Sequence, residues 1–157
     1  MDSIVFQPLT RASADEAANV IRSAFAAQSR ATRPPSSALR ETVDSVAGKI
    51  EAGGGIWAFD RGKLVALALW LIDEDAFRIG RVSVLPSWRR RGLARALIAA
   101  CGTEAKGRGL KRMSLRVRLE LPENERLFER YGFERRGVDA HPGFDAATQA
   151  MMEMDFG

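Results

Sequence analysis

The sequence predicts an α/β domain built on one mixed sheet with helices on both faces. Three observations lead there. Apolar residues recur at helical spacing in several separate segments, and other segments alternate apolar and polar residues with a period of two. The elements also come in a mixed order: helices early, then a strand meander, then strand–helix–strand–helix–strand, which is the order of a layered α/β structure. No internal repeat or low-complexity linker divides the 157 residues, so residues 1–157 read as a single domain.

Ile4 to Leu9 is a short apolar run interrupted by Pro8, as suits an edge strand. Ser13 to Gln28 reads as a helix, with Ser13 as its cap, Asp15 and Glu16 in its first turn, and Ala17, Val20, Ile21, Ala24 and Phe25 on one apolar face. Arg33-Pro34-Pro35-Ser36 breaks the chain. A second helix is predicted over Ser37 to Glu51, stopping at Gly53-Gly54-Gly55. Ile56 to Asp60 and Lys63 to Ile72 read as strands about a turn at Arg61-Gly62, and Asp73-Glu74-Asp75 is a further turn before a strand from Phe77 to Leu85. Gly92 to Lys106 carries Leu93, Leu97 and Ala100 with Ala94, Ile98 and Cys101 at helical spacing, and Gly107 and Gly109 end it. Met113, Leu115, Val117 and Leu119 alternate with Arg112, Ser114, Arg116 and Arg118, a strand pattern. Glu123 to Tyr131 is a short helix closed by Gly132; a strand starts at Phe133, and a last one covers Met151 to Phe156.

Composition narrows the function. Apolar residues make up 46% of the chain and charged residues 28%, which is enough to pack a core and gives no bias toward disorder. No run of about 18 apolar residues occurs, so no membrane span is expected. Met1-Asp2-Ser3-Ile4 does not read as a secretory signal, and a single cysteine, Cys101, suits a reducing compartment; a cytoplasmic location is the expectation. One His and one Cys do not make a usual zinc site, so no metal is expected. Net charge is +4, and Lys49, Lys63, Lys106 and Lys111 are the only lysines among the 24 basic residues. Guanidinium groups match phosphate oxygens, but a charge this modest argues against nucleic acid, so their placement matters more than their number.

The chemistry concentrates in Val82-Ser83-Val84-Leu85-Pro86-Ser87-Trp88-Arg89-Arg90-Arg91-Gly92-Leu93-Ala94-Arg95. A strand runs through a basic loop into a helix. The first amides of a helix have no carbonyl partners, and the macrodipole adds partial positive charge there, so the segment reads as a pyrophosphate cradle. Gly92 lets a phosphate approach the main chain, Ala94 is nearly as permissive, and Arg89, Arg90 and Arg91 add charge. No Gly-Lys-Ser/Thr follows, as a P-loop requires, and one glycine is too few for a dinucleotide fingerprint.

Arg89-Arg90-Arg91-Gly92-Leu93-Ala94 resembles the Arg/Gln-x-x-Gly-x-Gly/Ala signature of the GNAT superfamily of acetyl-CoA-dependent N-acetyltransferases. Val82-Ser83-Val84-Leu85-Pro86 resembles that family's fourth strand, Tyr131-Gly132-Phe133 resembles its Gly-Phe ending, and the element order matches over the whole chain. The resemblance implies a mostly antiparallel sheet with splayed central strands and direct acetyl transfer from acetyl-CoA to an amine. It implies that main-chain amides from Arg90 to Arg95, including Gly92, Leu93 and Ala94, hold the CoA pyrophosphate. Val82 and Val84 would then offer main-chain groups to the pantetheine arm, with the Val84 amide aimed at the acyl oxygen, where it would stabilise developing charge.

Two positions depart from the family pattern. Phe128 stands where the family often has the tyrosine that protonates the departing sulfur, and Leu121 stands where it often has Asn. The nearest Asn is Asn124, which reads either as a cap or turn residue or as a contact to CoA. The catalytic acid is therefore unassigned. His141, in Ala140-His141-Pro142-Gly143, lies in the loop that borders the family's acceptor pocket, and reads as an acceptor-site base or as a turn residue before proline. Asp73, Glu74 and Asp75 are alternative bases or a solvated turn. Cys101 and the three tryptophans read as packing. Two other functions stay open: a CoA-binding module without catalysis, kept alive by Phe128, and a basic nucleic-acid-binding domain using Arg89 to Arg91 with Arg112, Arg116 and Arg118. The acceptor amine is not named by the sequence.

Overall fold

The computed structural model describes residues 4–28 and 30–156. Residues 1–3, on which the expectation about a secretory signal falls, lie outside the described residues, as do Ser29 and Gly157. The strands are β1 (Ile4–Pro8), β2 (Gly54–Asp60), β3 (Lys63–Asp73), β4 (Ala76–Val84), β5 (Arg112–Arg118), β6 (Glu134–Asp139) and β7 (Gln149–Asp155). Among the described residues they form one seven-stranded sheet in the order β1-β2-β3-β4-β5-β7-β6. Every pairing is antiparallel except β4 with β5. The helices are α1 (Ala14–Ala26), α2 (Val43–Ala52), α3 (Leu93–Gly107) and α4 (Pro122–Arg130). None of the described helices is long and apolar enough to cross a membrane.

β3 assigns the helices to the two faces. Side chains alternate across a strand. Leu67 and Leu69 pack with α1 and α2 in one core that also holds Leu9, Trp57 and Val46. Ala66 and Ala68 point the other way, and their small size lets α3 come close to the sheet, with Leu93 and Leu97 against Ala58, Val65 and Ala66. Farther along α3, Ile98, Cys101 and Ala105 meet Phe77, Ile79, Met113, Leu115 and Val117. The period of two read in residues 112–118 is therefore a one-faced burial: the apolar members of β5 lie under α3 and the arginines occupy the opposite face.

The expected helix over Ser37 to Glu51 is two elements. Ser37–Arg40 is a single 3-10 turn, Glu41 and Thr42 are extended, and α2 begins only at Val43. A reciprocal cap sets that start: the Ser45 amide donates to Thr42 Oγ1 at 3.1 Å, and the Thr42 amide donates to Ser45 Oγ at 2.8 Å. Ser13 sits at the N-cap of α1 as expected, but its hydroxyl makes no capping hydrogen bond. The glycine triplet ends α2 and also enters the sheet. A methyl group on Gly53 would lie 1.9 Å from the Trp70 carbonyl oxygen, and one on Gly55 would lie 2.8 Å from that of Ala68.

The feature that positions the functional region is a parting of strands. β4 and β5 pair only over Ala76–Arg112, Phe77–Met113 and Arg78–Ser114, and diverge beyond. On its other edge β4 stays paired to β3, but through a bulge: Gly80 faces Leu69 and Ser83 faces Leu67, so Arg81 and Val82 together oppose Ala68. Arg81 takes up the distortion with φ of 53°. Its guanidinium is held by Glu41, with Nε 2.8 Å from Oε2, and donates to Ser37 Oγ at 2.7 Å. The Glu41 side chain is 2% exposed. It also accepts from Lys49 Nζ at 2.9 Å and from Ser45 Oγ at 2.6 Å, while its main-chain carbonyl accepts from Arg22 on α1. One carboxylate thus joins α2 and the 3-10 turn to the bulge.

Burial alone would raise the Glu41 carboxyl, but the hydrogen bonds from Ser45, Lys49 and Arg81, with the charge of Arg81, hold it below its ordinary value. A carboxyl with a depressed folded-state pKa stabilises the fold above its unfolded value and loses that contribution as pH falls through the folded one. Glu41→Gln should therefore cost about 1–3 kcal/mol at neutral pH, because buried donors lose their ionic acceptor. Thermal melts check this: the deficit against the parent protein should be full at pH 7 and should shrink below about pH 4.

Candidate active site

The loop between β4 and α3 carries the segment that the sequence marks as a candidate cradle. Pro86–Trp88 is a 3-10 turn, and Arg90 and Gly92 both take left-handed conformations, with φ of 64° and 79°. Gly92 is the N-cap of α3, and no side chain caps the helix. The first helical hydrogen bond runs from the Ala96 amide to the Gly92 carbonyl at 3.0 Å. The amides of Leu93, Ala94 and Arg95 therefore lie ahead of the ladder, and together with the helix dipole they make an anion site of main-chain donors. Leu93 is 1% exposed and faces the core, so only its amide serves the site.

The arginines of this loop have structural partners. Arg89 turns back to the C-terminal end of α1, where it donates to the carbonyls of Ala24 at 2.8 Å and Ala27 at 3.0 Å. Its side chain thus caps α1, and its charge bears on the cradle from a distance. Arg91 stacks on Trp88, 4.5 Å from the ring centre, and Arg95 lies 5.9 Å from the ring centre of Tyr131. Arg90 is exposed.

The cradle opens directly onto the parted strands. The Leu85 amide donates to Val65 on β3 at 2.9 Å. Successive peptide groups of an extended strand point to opposite edges, so the Val84 amide and carbonyl face the edge where β5 has left. The side chains of Val82 and Val84 pack toward α3, which leaves this main-chain edge as the lining of the gap.

α4 closes the other side. Leu121, 2% exposed, is its N-cap, and Asn124 lies in the first turn with its amide donating to the Leu121 carbonyl at 2.9 Å. The reading of Asn124 as the cap is thereby corrected: Pro122 follows Leu121 at the first helical position, which suits a residue without an amide hydrogen. Phe128 packs edge-on to Tyr131 at 6.0 Å and to Phe133 at 5.9 Å, so the position that carries a tyrosine in the resembled family is an aromatic core position here. Burial raises the Tyr131 phenol above its ordinary value, against the lowering effects of Arg95 and Arg130.

The open end of the gap lies near His141. Its amide donates to Thr148 Oγ1 at 2.9 Å, and its Nδ1 is 2.5 Å from the same oxygen, so only Nε2 is left to face an incoming group. Burial and the charge of Arg118 lower its pKa, against Asp139. The loop before α2 reaches the same end: Arg118 donates to the Pro34 carbonyl at 2.7 Å, and the Arg33 amide donates to Glu120 at 3.0 Å. Beside these contacts the loop encloses a cavity of about 190 Å³ lined by Phe25, Arg30, Thr32, Pro35 and Leu39.

Other candidates fall away from this region. Asp73, Glu74 and Asp75 form the turn next to the Ala76–Arg112 pair, at the closed end of the divergence, where Asp75 meets Arg112 at 2.6 Å and Asp73 meets Arg78 at 3.9 Å. The arginine row of β5 is tied in part to carboxylates, Arg112 also to Glu153 and Arg116 to Asp139. Cys101 is fully buried, and burial pushes its thiol up to about 12. The residues that sequence reading missed are Glu41 and Arg81. The only visible signal was the Thr42-x-x-Ser45 pattern, which marks a helix start inside the segment assigned to one helix.

A family model for the acetyltransferase (GNAT) family matches residues 21–133. No curated protein matches the chain in sequence. Among solved structures, the PaiA N-acetyltransferase of Thermoplasma acidophilum, in complex with coenzyme A, superposes with a TM-score of 0.82 at 16% identity, over 98% of this chain and 99% of that one. The ribosomal-protein-S18-alanine N-acetyltransferase of Escherichia coli gives 0.76 at 20% identity, over 97% and 93%. A streptothricin acetyltransferase of Bacillus anthracis, described as putative and bound to acetyl coenzyme A, gives 0.62 at 17% identity, over 66% and 62%. At such identities the likeness establishes the fold.

Gly92→Glu tests the cradle. The left-handed backbone at Gly92 makes any side chain cost about 1 kcal/mol, which a domain of this size tolerates. The added carboxylate would stand where a phosphate must approach. Calorimetric titration with CoA should give an affinity at least about a hundredfold weaker, some 2.7 kcal/mol. Leu93→Met, a volume-conserving change on the buried side, should bind CoA as the parent does.

Proposed function

The chain belongs to the acetyltransferase (GNAT) family, and from that premise we propose that it transfers the acetyl group of acetyl-CoA to an amine. The observation that carries this reading is continuity: the free amides at the start of α3 and the unpaired edge of β4 at Val82 and Val84 form one main-chain track. A long ligand with a pyrophosphate at one end and an amide-bearing arm at the other fits such a track. Acetyl-CoA has that form, and when bound it supplies the acetyl group as a thioester.

Each residue then has a task. The amides of Gly92, Leu93, Ala94 and Arg95 hold phosphate oxygens, with Arg90 and Arg91 adding charge at the rim. Val82 and Val84 offer the main-chain edge to the pantetheine amides, in the manner of strand addition. The Val84 amide donates to the acyl oxygen and stabilises charge there as the amine attacks. Asn124, in the first turn of α4, borders the arm from the far side. His141, held through Thr148, borders the acceptor end with Nε2. The single buried thiol fits work in a reducing compartment such as the cytoplasm.

The proton to the departing sulfur need not come from a tyrosine. A thiol has a pKa near about 8.5, so thiolate leaves tolerably with water as its proton source. Tyr131 is held by packing against Phe128 and beneath Arg95.

Two measurements test the reading. Saturating acetyl-CoA, at about 100 times its Kd, should stabilise the fold by about 2.7 kcal/mol and raise Tm by about 5–10 °C; together with release of free CoA thiol in the presence of a panel of primary amines, this is the expected outcome. No thermal shift would remove the proposal. Tyr131→Phe should lower kcat less than about tenfold, under about 1.4 kcal/mol of barrier. A hundredfold loss with acetyl-CoA affinity intact would make Tyr131 the acid.

A further inference from the structure

The acetyl donor track lies on the α3 side of the sheet, so the acceptor must come to the gap from the other side. Alternation fixes which side chains line that approach. Phe77, Ile79, Met113, Leu115 and Val117 belong to the core under α3. Arg78 on β4, and Arg116 and Arg118 on β5, therefore stand on the opposite face. Arg78 is the last β4 residue paired with β5, and Arg116 and Arg118 follow on the diverging strand, so the three guanidinium groups border the gap from its apex to its open end.

These arginines are half-buried and poorly neutralised. The side chains of Arg78 and Arg116 are 36% and 29% exposed. The ion pair of Arg78 with Asp73 spans 3.9 Å, and that of Arg116 with Asp139 spans 3.8 Å. Asp139 is itself engaged by Gln149 Nε2 at 2.7 Å. Arg118 donates to a carbonyl, and the nearby Glu120 accepts the Arg33 amide. Burial, and in Arg78 also the charge of Arg116, lowers the basicity of Arg78 and Arg118. A guanidinium in this condition gains from an added anion, and its planar fork matches a carboxylate with two parallel hydrogen bonds. An acceptor that carried only positive charge would be repelled from the same wall.

We propose that the acceptor amine of this enzyme carries a carboxylate, which Arg78, Arg116 and Arg118 bind on the face of the sheet opposite α3. This rests on the acetyltransferase reading and narrows it to amino acids and related amino carboxylates. The cavity of about 190 Å³ on the neighbouring loop, with Phe25 and Leu39 in its lining, leaves room for an apolar side chain.

The experiment compares free α-amino acids with their carboxamides as acceptors, using the full-length protein and acetyl-CoA. For the best amino acid, kcat/KM should exceed that of its carboxamide at least about tenfold. The double variant Arg78→Gln/Arg116→Gln should reduce this preference to less than about threefold, with KM for acetyl-CoA unchanged, and Arg116→Lys should retain part of it because the charge remains. Equal or better turnover of carboxamides or of polyamines would overturn the proposal, as would a variant that slows acid and carboxamide alike. Calorimetric titration of the CoA-loaded protein with the same pairs reads the selectivity without turnover, and carboxamides binding as well as acids, or neither binding, would also overturn it. The acetyl-CoA thermal shift separates the two claims: if it is present while the acid preference is missing, only the acceptor assignment fails.

Discussion

A strand in the middle of a sheet must satisfy two edges, and β4 satisfies only one along its full length. It stays with β3 to Val84 but keeps β5 for three residue pairs. Unpaired main-chain groups are costly inside a protein, so a parting of this kind persists only where something else occupies the edge or the surrounding structure enforces it. The enforcement is visible. The bulge at Arg81 and Val82 bends β4, and the left-handed backbone of Arg81 carries a cost of order 1–3 kcal/mol. Glu41 offsets that cost by anchoring the guanidinium from a buried position. The extended conformation of Glu41, which interrupts the helix expected there, delivers the carboxylate to the bulge. The interruption on one layer and the gap in another are thus one arrangement.

The arginine-rich character of the chain resolves into local tasks. Arg89 caps α1, Arg91 covers Trp88, Arg81 holds the bulge, and Arg112 joins β5 to the turn at Asp75 and to β7. What remains unclaimed at the head of α3 is chiefly main-chain amides, and those need a permissive residue at Gly92 more than they need charge. The basic triplet therefore marks the loop more clearly than it explains it.

Sequence periodicity carried most of the fold. The strand at 112–118 and the α3 segment were legible because burial on one face imposes a period that polar residues cannot mask. The loop at 89–95 stood out because a strand, a basic run, one glycine and an apolar helix follow one another there, and Gly92 takes a left-handed conformation that suits glycine. The break at Glu41–Thr42 was not, since a buried glutamate in a helical run looks like a surface residue until its partner Arg81, forty positions away in sequence, is brought to it. For the same reason Asp73–Asp75 looked as suitable as any other acidic strand end. Which end of β4 opens is decided by pairing with β5, a contact between segments more than thirty positions apart.

The two faces of the gap offer different kinds of group, main-chain amides on one and side chains on the other, and this explains why one was readable and the other was not. On the α3 face, amides of Leu93 to Arg95 and the edge at Val84 serve whatever side chains surround them, provided Gly92 permits the turn. A main-chain arrangement of this type tolerates wide sequence change, because it asks little of the surrounding side chains. On the opposite face, the groups proposed to meet an acceptor are side chains, Arg78, Arg116, Arg118 and His141, brought together from four separate segments of the chain with the loop at Pro34. Each of these residues has an ordinary structural explanation in the sequence, as part of a strand alternation or a turn. Only their common position beside the parted strands gives them a joint meaning. A positive wall that is half desolvated and short of counter-ions favours an anionic acceptor, while the amide track behind it is indifferent to acceptor charge. Selectivity for the acceptor can therefore change by substitution on this face without disturbing the donor site across the sheet.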